Sequence, residues 1–108
     1  MPNRTDLFLD STGAPITEIT DAGDYILRTN LINPQTGFSL GGRVSSGAGE
    51  FSVQLWGRIA GVKTNLGAAV VVAFGAPAAW PSEYTIAGDR GITVAVTTPG
   101  TLVMEVGV

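Results

Sequence analysis

Residues 50–56 alternate without a break: Phe51, Val53 and Leu55 fall on one side of an extended chain, and Ser52, Gln54 and Trp56 on the other. A period of two gathers the apolar residues on one face of a strand, whereas a helix would scatter them around its axis. The same signature recurs at Tyr25, Leu27, Thr29 and Leu31 against Ile26, Arg28, Asn30 and Ile32. It appears again where Ile92, Val94 and Val96 alternate with Thr93, Ala95 and Thr97. Helical spacing is hard to find anywhere, so the chain reads as all-β.

Gly, Pro, Asn, Asp and Ser clusters cut the rest into short runs. Strands are expected at 6–10, at 16–20, over 24–32, more weakly over 38–45, at 50–56, through the apolar run 68–74, and at 82–87, 92–97 and 101–106. Turns are expected at 11–15, at 33–37, at Gly47-Ala48-Gly49, at Lys63-Thr64-Asn65, at 75–77, at 88–91 and at Thr98-Pro99-Gly100. The C-terminal third reads as a meander. About eight strands at such spacing predict a compact antiparallel β-sandwich, jelly-roll-like, with an immunoglobulin-like sandwich as the alternative. The 108 residues are expected to form one domain, 1–108, with residues 1–5 as a flexible arm.

Charge is sparse: 14% of residues carry it, against about 25% in an average soluble domain. The net charge is −3 and the six cationic residues Arg4, Arg28, Arg43, Arg58, Lys63 and Arg90 are scattered, so nucleic acid is not an expected partner. Residues 1–6 are polar and lead into only three apolar residues, too few for a signal-peptide core. The apolar run 68–80 is broken by Gly75 and Pro77 and is shorter than the roughly 20 residues of a membrane helix. A soluble chain made in the cytosol, with no membrane partner, is the expectation.

Chemistry is narrowed in the same way. With no His and no Cys there is no imidazole base, thiol nucleophile, disulfide or usual zinc set. Nine dispersed carboxylates offer no pair that spacing places at a reacting distance, so no enzyme, cofactor or metal is expected. Gly41-Gly42-Arg43-Val44-Ser45-Ser46-Gly47-Ala48-Gly49 lacks the Gly-Lys-Ser/Thr ending of a phosphate loop, and strand-joining turns explain it better. Asp21-Ala22-Gly23-Asp24-Tyr25 matches the Asp-x-Gly-x-Tyr segment of a tyrosine corner, with Asp21, Gly23 and Tyr25 as a structural unit. A cation held by Asp21 and Asp24 with Asp10 or Asp89 is the functional alternative. Trp56, Trp80, Phe38, Tyr84 and Phe74 serve packing or, alternatively, a sugar-stacking platform.

Residues 67–80 break the alternation expected of a two-layer sandwich strand. Either both faces are covered or Val and Ala stand exposed as a patch that monomers avoid. A neighbouring subunit is the simplest cover, with Ala69, Val71, Ala73, Ala78 and Trp80 as candidate interface residues. The bland reading turns Val70, Val72 and Phe74 inward and leaves small alanines outside.

With its Thr/Gly/Ala/Val-rich strands and the ending Gly91-Ile92-Thr93-Val94-Ala95-Val96-Thr97-Thr98-Pro99-Gly100-Thr101-Leu102-Val103-Met104-Glu105-Val106, the whole chain resembles the small β-sandwich virion structural proteins of tailed bacteriophages, the capsid decoration or cement type. The resemblance implies a subunit of the virion surface, synthesised in the host cytoplasm. It implies self-association, a trimer foremost, and contact with a major capsid protein. A carbohydrate- or receptor-binding module of a tail fibre, or a tail, neck or baseplate subunit, is the alternative.

Overall fold

The computed structural model describes residues 3–5, 8–27, 39–80 and 90–107. Among them are eleven strands: β1 (Asn3–Arg4), β2 (Phe8–Leu9), β3 (Pro15–Ile16), β4 (Gly23–Leu27), β5 (Ser39–Ser46), β6 (Glu50–Ile59), β7 (Val62–Asn65), β8 (Val70–Ala73), β9 (Ala78–Ala79), β10 (Arg90–Thr98) and β11 (Thr101–Gly107). They form an antiparallel β-sandwich. One sheet runs β1-β11-β5-β9; the other runs β3-β2-β4-β10-β6-β7, with β8 also paired to β6. The count exceeds eight because β1, β2, β3 and β9 are two-residue pieces. The strands expected beyond 27 and over 82–87, the 33–37 turn, Phe38, Tyr84 and Asp89 lie outside the described residues.

The inner faces follow from the alternation. Ile92 lies between Tyr25 and Leu55, and Val94 between Gly23 and Val53, on the ladders of β10 with β4 and β6. Opposite residues point to the same side, so one apolar row crosses the sheet. From the facing sheet Leu102, Met104 and Val106 stand beside Val44, Gly42 and Leu40. Phe51, Val53, Leu55, Val72, Ile92, Leu102 and Val106 are fully buried between the sheets. Burying side chains of this size is worth about 1.5–3 kcal/mol each.

Three expectations change. β10 and β11 do not form a hairpin; each pairs with strands of a different sheet, so Pro99 and Gly100 make a corner rather than a meander turn. Gly47-Ala48-Gly49 is likewise the corner from β5 to β6, and the two corners touch: a Cβ on Gly100 would sit 2.6 Å from the Gly49 Cα. Only two glycines allow that approach. Lys63-Thr64-Asn65 is strand, not turn. The hairpin of β6 and β7 turns at Ala60 and Gly61, whose φ of 52° and 79° match the left-handed pair of a type I′ loop. The N-terminal arm is docked at Asn3 and Arg4, which pair with Gly107 and Val106.

Candidate contact surface

The corner motif behaves as its spacing predicts. Gly23, with φ of 151°, adopts a conformation that a side chain would strain. It lets the chain turn into β4 so that the Tyr25 hydroxyl donates to the Asp21 carbonyl at 2.7 Å. Burial raises the Tyr25 pKa above its usual value, and the Asp21 and Asp10 charges add to the shift. This is a structural clasp between the 17–22 connection and the core.

The carboxylates around it are already engaged. Asp10 accepts from Thr12 Oγ1 at 2.6 Å, Thr12 N at 2.9 Å and Ala14 N at 3.1 Å, closing the turn between β2 and β3. The Thr12 hydroxyl foremost, then the Ala14 amide, hold its pKa below the ordinary carboxylate value. Asp24 accepts from Thr93 Oγ1 at 2.5 Å and from Lys63 Nζ at 3.0 Å, and its pKa is lowered by Thr93 first and Lys63 second. Among the described residues no three potential metal ligands gather. In the alternative Asp21–Asp24 cation site Asp24 is already bonded to Thr93 and Lys63, and the Asp89 variant falls outside the described residues.

On the outer face of the larger sheet, Trp56 lies across from Gly91 on β10, where a Cβ would come within 2.3 Å of its ring. Lys63 Nζ and Arg58 Cζ approach that ring at 5.0 and 5.9 Å from its centroid. A groove of about 440 Å³ runs beside it, lined among others by Leu9, Ile26, Arg58, Lys63 and Asp24. Trp56 is only 3% exposed and Trp80 only 7%. A sugar-stacking platform needs an open ring face, and neither tryptophan offers one.

The predicted interface set separates into two groups. Ala69, Val71 and Ala73 lie on or beside β8, with Val71 59% exposed. Ala78 and Trp80 belong to the other sheet: Ala78 packs against the core and Trp80 is part of it. Trp80 turns inward because its amide bonds to the Leu40 carbonyl at 3.0 Å, which fixes the same parity as buried Leu40. Phe74, which the alternative reading turns inward, is instead 61% exposed, because it occupies the two-residue turn that ends β8. Within β8 the alternation is restored: Val72 is fully buried, Val70 packs on the core and Val71 faces out.

The same edge of β6 carries both β7 and β8. Leu66 N still bonds to Leu55 O, but Val70 is the residue opposite Val53, so the chain between them bulges at 67–69. Gln54 holds the bulge by donating from Nε2 to the Leu55 carbonyl at 2.8 Å and to the Gly67 carbonyl at 3.1 Å. Gln54 was visible in the sequence only as an outward polar residue; its role needs the bulge. No family model, curated protein or solved structure matches this chain.

Proposed function

We propose that this chain is a non-enzymatic virion structural protein, a capsid decoration or cement subunit that stabilises a phage head through subunit contacts. The observation that carries the contact role is the exposed apolar margin at β8, where Val71 and Phe74 stand in solvent on a chain with few surface charges. Val71 and Phe74, three residues apart at the end of β8, both place large apolar side chains in solvent, and exposed apolar surface favours association. The virion setting comes from the resemblance of the whole chain to phage head proteins. The engagement of Asp10 and Asp24 and the absence of His and Cys support a role without chemistry.

The test is addition of the purified protein to phage heads that lack it, followed by co-sedimentation. Saturable binding that raises the temperature of head rupture is the expected result. Failure to bind heads, combined with labelling of the tail, neck or baseplate in intact virions, would move the protein to that part of the particle.

A further inference from the structure

We infer that copies of this chain join head to tail, the tip of the β6–β7 hairpin of one copy seating its apolar side chains against Val71 and Phe74 of the next. The inference rests on the reading of the β8 margin as a contact surface and names its occupant.

Among the described residues five large apolar side chains stand exposed, and four of them fall in two pairs. Val71 and Phe74 sit at one end of β6, where Ser52 lies opposite Val71 and the Phe74 amide donates to the Gly49 carbonyl at 3.1 Å. Ile59 and Val62 sit at the other end, facing each other beside the hairpin turn. The ten residues of β6 put the two pairs roughly 30 Å apart along the strand. One copy cannot bury one pair against the other, whereas a head-to-tail contact between copies covers both.

The tip is spelled against its own local stability. Ala60 holds a φ of 52°, in the left-handed region where a side chain costs about 1–2 kcal/mol and where Asn, Asp or Gly is the usual residue of such a turn. It continues the apolar run from Ile59 to Val62. A Cβ on Gly61 would meet nothing within 4 Å among the described residues, so the tip stands clear of them. Strain kept in an exposed apolar turn points to a contact outside the fold.

Charge selects the pairing. Arg58 and Lys63 lie opposite each other next to the tip, and Lys63 is held by Asp24 at 3.0 Å. Arg58 is exposed and, among the described residues, bonds no carboxylate. Beside the margin, Glu50 lies opposite Ala73 on β6, and among the described residues its carboxylate bonds no cation. Tip against tip would bring two Arg58 side chains together, and margin against margin two Glu50 side chains. Tip against margin sets Arg58 toward Glu50. The chain thus carries both halves of one contact, an apolar pair beside a cation and an apolar pair beside an anion, which favours a second copy over a different protein. Two patches of this size belong to the class of contacts below about 1,200 Å², which associate weakly. A lattice that holds copies side by side strengthens them by effective concentration.

The experiment is sedimentation velocity on the full chain across a concentration series, with wild type, Arg58→Glu, Glu50→Arg, the two reversals combined, and Val62→Ser. Wild type is expected to associate. Each single variant should weaken association by about tenfold or more, the reversals by opposing like charges and Val62→Ser by removing apolar burial. The combined variant should recover it. Arg58 and Glu50 are eight residues apart on one strand, roughly 26 Å, so they cannot compensate within a copy and the recovery reports contact between copies. Circular dichroism and Tm are read on every variant; if half-buried Glu50 does not accept Arg, the exposed positions Arg58 and Val62 decide the result. A wild type that stays monomeric, a folded single variant that associates as wild type does, or a folded combined variant that fails to recover overturns the head-to-tail contact. Head binding is scored separately: a monomer that still adds to heads overturns the contact and leaves the cement role standing, and an associating chain that never adds does the reverse.

Discussion

The two flanks of β6 carry the same kind of neighbour in different ways. On one side β10 pairs with it from Arg90↔Gly57 to Thr98↔Glu50, with a single irregularity between Val96 and Thr98. On the other, β7 and β8 share the edge and the ladder breaks between them at 67–69. The continuous flank is covered on its inner side by the facing sheet, and Trp56 seals part of its outer side. The broken flank keeps Val72 in the core but leaves Val71 and Phe74 in water. Continuous pairing fixes every side chain to a face; a bulge and a terminal turn release the residues next to them.

The sharpest way to break the continuous flank is Gly91→Ala. Its new methyl would overlap the Trp56 ring, which is too buried to swing aside, and overpacking of this kind costs about 3 kcal/mol. Urea unfolding should show a lower midpoint with an unchanged slope; an unaltered midpoint would mean that Trp56 does not sit on Gly91. Next in size is the contrast within β8. Val72→Ala should cost about 2 kcal/mol, whereas Val71→Ala should leave stability within about 0.5 kcal/mol of wild type. Equal losses at the two positions would contradict the parity that defines the edge.

A smaller effect is expected at the corner that leads into β4. Tyr25→Phe keeps the ring and removes only the bond to the Asp21 carbonyl, so thermal unfolding should report a loss of about 1 kcal/mol. The smallest concerns Asp24, which links β4, β10 and β7 across the outer face. Its pKa is lower in the folded chain than in the unfolded one, so its contribution is present above the usual carboxylate range and lost as pH falls through the folded value. Being half exposed, it is worth a few tenths of a kcal/mol at most after screening. Thr93→Val removes the leading donor and should raise the Asp24 pKa in an NMR titration; an unmoved pKa would assign the effect to Lys63.

The tyrosine corner was legible because it is local: Asp21, Gly23 and Tyr25 sit within five residues, and one turn decides their geometry. The interface set was legible only in part. Ala69, Val71 and Ala73 are grouped by one strand, so sequence proximity and spatial proximity agree. Ala78 and Trp80 follow closely in the chain, yet the Phe74–Gly75 turn passes them to the opposite sheet and turns them inward. The unbroken apolar spelling of 68–80 conceals that crossing, since a core-facing strand and an exposed margin use the same Val and Ala.

What the sequence determined by itself was the all-β class, through its period of two, and the lack of any imidazole or thiol group, through its missing His and Cys. It also set the inner face of β6 and β10, because alternation fixes parity along any one strand. Only the tertiary structure decided which strands share a sheet. The Gly49–Gly100 contact between corners and the bulge held by Gln54 join residues far apart in the chain, and no local preference encodes such pairings. The exposed margin at β8 follows from that long-range register.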